Sequence, residues 1–280
     1  MISKTLKIEG HRGYLTKAPE NSLESFLIAK EEGIDGIETD LWLTKDNVIM
    51  ISHGHNEQGL EMMWDPEANK MVPIIINKET HSRISKLRFT DKQTPMPTLR
   101  QLFEKPGYQD SLYFNLEFKD SNPRIVEETV RLIMEMEVTA KIHFCGFNNQ
   151  YVDTLKDVCF RLQSPQFRFF INIAEFKFIH DAEFLDDLIK KKADVAVGLD
   201  VLLSEKELLK VFFTKIKAVG GRVSVYNLMC LTQFEGEEVY EMLIECGVDI
   251  FCCNDPDQLK EYNKNMMLQG KKNSIELNSC

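Results

Sequence analysis

A few short clusters in this chain carry residue types suited to chemistry on a charged substrate. Glu38 and Asp40 stand two apart in the run Ile37 to Leu41, and Glu117 stands two before Lys119. His11-Arg12-Gly13 lies near the start, and His53 follows the run Val48 to Ser52. Residues two apart on a strand share a face, so Glu38 pairs with Asp40 and Glu117 with Lys119. Two such carboxylates could simply meet solvent, and a lone histidine such as His53 is more often structural than catalytic. Yet Ile37 to Leu41 reads as a strand in buried surroundings, where acids are almost never left unpaired. Three oxygen-donor acids converging on one point, Glu38, Asp40 and Glu117, make a hard-cation site suited to Mg²⁺ or Ca²⁺ rather than Zn²⁺.

Convergence requires a scaffold. Short apolar or β-branched runs alternate with amphipathic ones along the chain. Strands are expected at Leu6 to Glu9, Ile34 to Leu41, Ser111 to Phe118, Lys141 to Cys145, Arg168 to Ile171, Asp194 to Leu199, Arg222 to Tyr226 and Asp249 to Cys252. Val48 to Ser52 is a side excursion after the turn Lys45-Asp46-Asn47. Helices fall between them, at Asn21 to Glu32, Thr98 to Glu104, Arg124 to Glu137, Gln150 to Phe160, Ala182 to Lys190, Glu205 to Lys217 and Gly236 to Glu245, with a last one at about Asp257 to Asn263. Strands alternating with helices mean parallel βαβ units, and this number of them predicts an α/β fold of the (β/α)₈ TIM-barrel class. The rival is an open doubly wound sheet, but the Gly-rich phosphate fingerprint is missing after the first strand. In a barrel the clusters above would meet at the C-terminal ends of the strands.

The expected barrel spans 1–264, interrupted by an inserted cap over 54–95, with a polar, flexible tail over 265–280. With 280 residues and a formal net charge of −10, the chain is a poor partner for nucleic acid, whose phosphates need clustered Lys and Arg. A phosphate ester would need locally supplied positive charge, which a bound cation provides. No apolar stretch is long enough to span a bilayer, and the first ten residues do not read as a secretory signal. The cysteines, 7 in number, show no paired metal-ligand spacing, and Cys252 and Cys253 read as buried thiols. A reduced, cytoplasmic setting is the expectation.

An ordered set of motifs then resembles the glycerophosphodiester phosphodiesterase family. It comprises His11-Arg12-Gly13, Pro19-Glu20-Asn21-Ser22, Ile37-Glu38-Thr39-Asp40-Leu41, Thr44-Lys45-Asp46, Pro97-Thr98-Leu99, Asn115-Leu116-Glu117-Phe118-Lys119, Gly247-Val248-Asp249 and Asn254-Asp255-Pro256. The resemblance implies a metal held by Glu38, Asp40 and Glu117. It implies His11 and His53 as general acid and base, and Arg12 and Lys119 on the phosphoryl oxygens. Such a site suits the chemistry, because a phosphodiester anion repels its nucleophile and charge must be absorbed as the bond forms.

Two positions depart from the family pattern. Gly54 follows the second histidine where members usually carry Asp, and Tyr226 stands where Trp is common. His55 is a rival to His53, which is preferred because the run Val48 to Ser52 leads directly into it. The cap residues Met62, Met63, Trp64 and Met71 read as the cap's own core, or else as a face for an acyl chain. The expected partner is a small-molecule glycerophosphodiester. The alternatives are a lyso-phospholipid cleaved by a lysophospholipase D, and a non-catalytic barrel.

Overall fold

The computed structural model describes residues 5–107, 112–147, 150–226 and 236–277. Ser111, at the start of one expected strand, lies outside them. The eight parallel strands, with helices between, form a closed (β/α)₈ barrel. The chain divides into two compact units, one of residues 11–171 and one of residues 1–10 with 172–280.

In the second of these units the strands β1 (Lys7–Gly10), β9 (Asp194–Gly198), β10 (Val223–Tyr226) and β11 (Ile250–Cys253) pair in the order β1-β11-β10-β9. The 11–171 unit holds β2 (Gly36–Leu43), β6 (Tyr113–Phe118), β7 (Lys141–Gly146) and most of β8 (Arg168–Ile173). Here β6 lies between β2 and β7, and β8 follows β7. Every residue of β2 and of β6 is buried. That is usual for parallel strands covered on both faces, which therefore read as nearly continuous apolar runs. The side excursion is β3 (Ile49–Ile51), antiparallel to β2 with Leu41 opposite Ile51.

Helices start where the sequence supplies caps. Ser22 accepts from the Ser25 amide at the start of helix Leu23–Glu31, and Thr98 forms a capping box with Gln101 before helix Leu99–Phe103. Helix Arg124–Glu135 buries Ile125, Val126, Thr129, Val130 and Ile133 on one stripe.

Three features differ from expectation. Short helices Phe176–Ile179 and Leu199–Ser204 are too brief to leave a periodic pattern. The last helix runs Pro256–Leu277, well past Asn263, because Lys, Met, Leu and Gln sustain a helix by propensity without an apolar stripe. The cap contains a hairpin of β4 (Leu60–Asp65) and β5 (Lys70–Ile75), with Trp64 opposite Met71.

That hairpin divides its apolar residues by strand alternation. Met63 is fully buried in a cluster with Trp42, Met50, Ile74, Ile76, Ile84, Leu87 and Met96, while Met62 is exposed on the opposite face. Trp64 is half-buried, with the Lys92 ammonium 4.4 Å from its ring centroid. Met63→Ala should therefore cost about 2–5 kcal/mol of stability, as other buried methionines do. Met62→Ala should stay within about 0.5 kcal/mol. Urea unfolding of the two variants checks this, and equal losses would contradict the division.

Candidate active site

The candidate site residues His11, Arg12, Glu38, Asp40, His53, Glu117 and Lys119 all lie in the 11–171 unit. Parallel pairing sets their spacing. Asp40 on β2 is in register with Glu117 on β6, and Glu117 with Cys145 on β7. Glu38, Asp40 and Glu117 are all buried. Glu38, Glu117 and Cys145 offer ligand atoms that all lie within 4.8 Å of one another.

The turn after β1 is held by unusual backbone geometry. Arg12 has φ +55°, and its carbonyl accepts from the Asn21 amide at 3.0 Å and the Ser25 hydroxyl at 3.2 Å. Gly13, at φ +89°, leaves no space for a side chain, since a Cβ there would lie 2.3 Å from Ser25 Oγ. The Arg12 amide is thereby aimed at Glu38, donating to Oε2 at 3.1 Å. Its guanidinium donates to both Glu20 oxygens, at 2.9 and 3.1 Å, and its Nε lies 3.4 Å from Asp40 Oδ2. His11 Nε2 lies 3.9 Å from Glu38 Oε2.

Of Glu38, Asp40 and Glu117, Asp40 is the least exposed. Asn21 Nδ2 donates to its Oδ2 at 2.8 Å, and Lys119 Nζ lies 3.3 Å from Oδ1. Burial would raise this carboxyl, but Lys119 and Arg12 outweigh it and hold Asp40 far below the usual carboxylate range. Lys119 also lies 2.7 Å from Glu117 Oε1. Burial would lower the Lys119 ammonium, but Glu117 and Asp40 outweigh it and keep it charged.

Glu38 and Glu117 have the opposite character. Burial, reinforced by the neighbouring Asp40 and Glu117 charges, pushes Glu38 well up. Burial likewise raises Glu117, against the pull of Lys119. Glu38 Oε1 is buried without a hydrogen-bond partner. A buried oxygen in that state, in a group of carboxyls that resist shedding their protons, is what a missing positive charge looks like. The residues present therefore fit a divalent cation held by Glu38 and Glu117. Asp40 stands beside that pair, with both oxygens already engaged.

His53 is half-buried at the end of the segment that β3 leads into, and its carbonyl accepts from Trp42 Nε1 at 3.2 Å. Burial pushes its imidazole down to about 4, against the upward pull of Asp40. His55, the rival, is exposed and lies 3.5 Å from Glu61 Oε2. Glu61, from the cap hairpin, organises the loop between them. Its Oε1 accepts from the Ser52 hydroxyl and from the Gly54 amide, the latter at 3.0 Å.

This arrangement explains Gly54. Its φ is +73°, and a Cβ there would meet Gly59 Cα and the Trp42 ring, each at 3.1 Å. Gly54→Asp, which restores the common family residue, should therefore destabilise the chain by about 1–3 kcal/mol rather than improve it. A raised melting temperature for that variant would show that the loop is not strained.

Glu20, Asn21, Glu61 and Cys145 belong to the site although composition and spacing gave them no role. Glu20 and Asn21 fall inside a family-like motif, a signal that was present in the sequence. Glu61 and Cys145 had no such signal, because only the hairpin and the β6–β7 register bring them in.

Buried acids, basic side chains and imidazoles thus lie together in the 11–171 unit of a parallel barrel. The chain is a member of the glycerophosphoryl diester phosphodiesterase family, whose model matches residues 11–258. It is 31% identical over 160 residues to a glycerophosphodiester phosphodiesterase of Caldanaerobacter subterraneus subsp. tengcongensis, covering 55% of this chain and 62% of that protein. Such a match spans about three-fifths of the relative's length. The fold is similar to that of a glycerophosphodiester phosphodiesterase of Parabacteroides distasonis, with TM-score 0.70, 20% identity, and coverage of 94% and 98% of the two chains. It is also similar to a phosphodiesterase of Oleispira antarctica solved with the product sn-glycerol-3-phosphate, with TM-score 0.69, 19% identity, and coverage of 92% and 96%. No described helix is long and apolar enough to cross a membrane.

Proposed function

We propose that this chain hydrolyses glycerophosphodiesters to an alcohol and glycerol phosphate. The observation that carries the proposal is the buried pair Glu38 and Glu117, with Arg12 and His11 beside Glu38, Lys119 beside Glu117, and His53 within reach of the Asp40 charge. A divalent cation bound there, with Asp40 beside it, supplies the positive charge that a phosphodiester anion and its developing transition state require.

The residues divide the remaining work. Arg12 and Lys119 stay cationic and orient the phosphoryl oxygens. His53 is neutral at physiological pH because burial depresses it, so it suits the acceptance of a proton from the attacking water. His11, 3.9 Å from Glu38 Oε2, is the second imidazole and serves the return of a proton to the leaving alkoxide. The balance is that of hydrolysis: the phosphorus–oxygen bond to the alcohol breaks, and the elements of water are added across it.

The soluble diester is favoured over a lyso-lipid. Met63 and the cluster around it fill the cap's own core, and Lys92 covers Trp64, so these residues are already occupied. The test is turnover of a panel of soluble glycerophosphodiesters and lyso-phospholipids by purified protein with added divalent cation. Release of glycerol phosphate from at least one soluble diester is expected. Turnover confined to lyso-lipids would move the reading to a lysophospholipase D, and none with either class would leave a non-catalytic barrel.

A further inference from the structure

The acids alone would define a hard-cation site, but the third atom facing Glu38 and Glu117 is sulfur. Cys145 sits on β7, in register with Glu117 and buried at 2% exposure. Its Sγ lies within 4.8 Å of the nearest oxygens of both acids. Independent of the thiol, Glu38 Oε1 is more than nine-tenths buried and has no hydrogen-bond partner. That oxygen belongs to the same side chain that completes the trio with Cys145.

We infer that Cys145 is a direct ligand to the divalent cation, making a mixed oxygen–sulfur site that prefers borderline or soft ions over Mg²⁺ and Ca²⁺. The inference rests on the cation site proposed above and refines what it holds. Hard ions gain little from sulfur, whereas Zn²⁺, Co²⁺ and Cd²⁺ bind thiolate strongly. On binding, the thiol releases its proton to solvent and the sulfur donates a lone pair to the ion, with no change of oxidation state. The order of preference expected from the acids alone, with Mg²⁺ or Ca²⁺ first, is thereby reversed.

The experiment uses the full chain stripped of metal and titrated with Co²⁺. Wild type should bind cobalt and develop a thiolate-to-cobalt charge-transfer absorption in the near ultraviolet, which Cys145→Ser should lose. Cadmium and magnesium affinities are measured by calorimetry on the same two proteins. Loss of even an outer hydrogen-bond partner costs about 10–100-fold in metal affinity, so loss of the sulfur should weaken cadmium by at least about tenfold. Magnesium binding should change far less. Should Cys145→Ser fold poorly, cadmium NMR of the unmodified chain separates sulfur from oxygen ligation without a substitution. Cobalt bound without the absorption, or cadmium in an all-oxygen environment, overturns the role of Cys145 and leaves the cation site standing. Failure to bind any of these ions overturns the cation site itself, and the role of Cys145 with it.

Discussion

Exhaustive chelation should abolish hydrolysis, and adding back a divalent cation should restore it. Glu117→Gln should imitate chelation by removing one of the carboxylates proposed to face the ion, while leaving the barrel folded. The same measurement has a pH signature. Glu38 and Glu117 are raised above their ordinary value of 4.5, so protons compete with the ion for them more than for free carboxylates. Apparent metal affinity should therefore rise with pH.

The stability sign follows from linkage. A group raised on folding contributes stability below its unfolded pKa, and that stability is lost as pH climbs through the folded value. In chelator, Glu38 and Glu117 should therefore cost stability as pH rises from 4.5, and a bound cation should remove that loss. His53 acts oppositely, because its imidazole is lowered from 6.5 to about 4 and stability falls as pH drops across that window. The informative quantity is the melting-temperature difference between cation-loaded and chelated protein, which should widen with pH. Full activity in a metal-free preparation would end the cation proposal.

Removal of either proposed proton-transfer group is the second large effect. His11→Ala and His53→Ala should each lower turnover by about 10²-fold or more, the usual worth of a positioned acid or base. His55→Ala should cost far less, since that ring is exposed and pairs with Glu61 rather than with the buried acids. Turnover at saturating substrate, with metal binding and folding checked on each variant, makes the comparison. Because burial holds His53 near 4, its contribution to an acid limb in the wild-type rate should lie there and not near the ordinary value of 6.5. A crippled His55→Ala beside a mild His53→Ala would transfer the role to the neighbouring imidazole.

The alternation of strands and helices was legible because the barrel strands are mostly apolar runs broken by a few polar residues, and most of the longer helices carry a buried stripe. Periodicity reports burial locally, so the barrel strands and the major helices could be placed within a few residues. The cap hairpin was not legible. Its strands are half-exposed and mix Glu61, Met62 and Asp65 with apolar residues, so no clean period of two emerges. The extension of the last helix past Asn263 escaped for a related reason, since residues 264–268 are exposed or half-buried and carry no clear apolar face.

The sequence by itself determined which side chains could do chemistry. Glu38 with Asp40 and Glu117 with Lys119 were placed on shared faces by strand alternation alone, and His11-Arg12-Gly13 stood out as a cluster near the start. Only the tertiary structure decided how those groups divide the work. The β2–β6–β7 register sets Glu117 against Cys145 and opposite Asp40, so a sulfur joins the acids. Arg12, Lys119 and Asn21 then close around Asp40, and Glu38 and Glu117 are left as the raised pair. Which carboxyl is neutralised depends on distances of a few ångströms between strands far apart in the chain. Coulomb energy falls with that distance and rises sharply with burial, and neither is written in the spacing of residues along one strand.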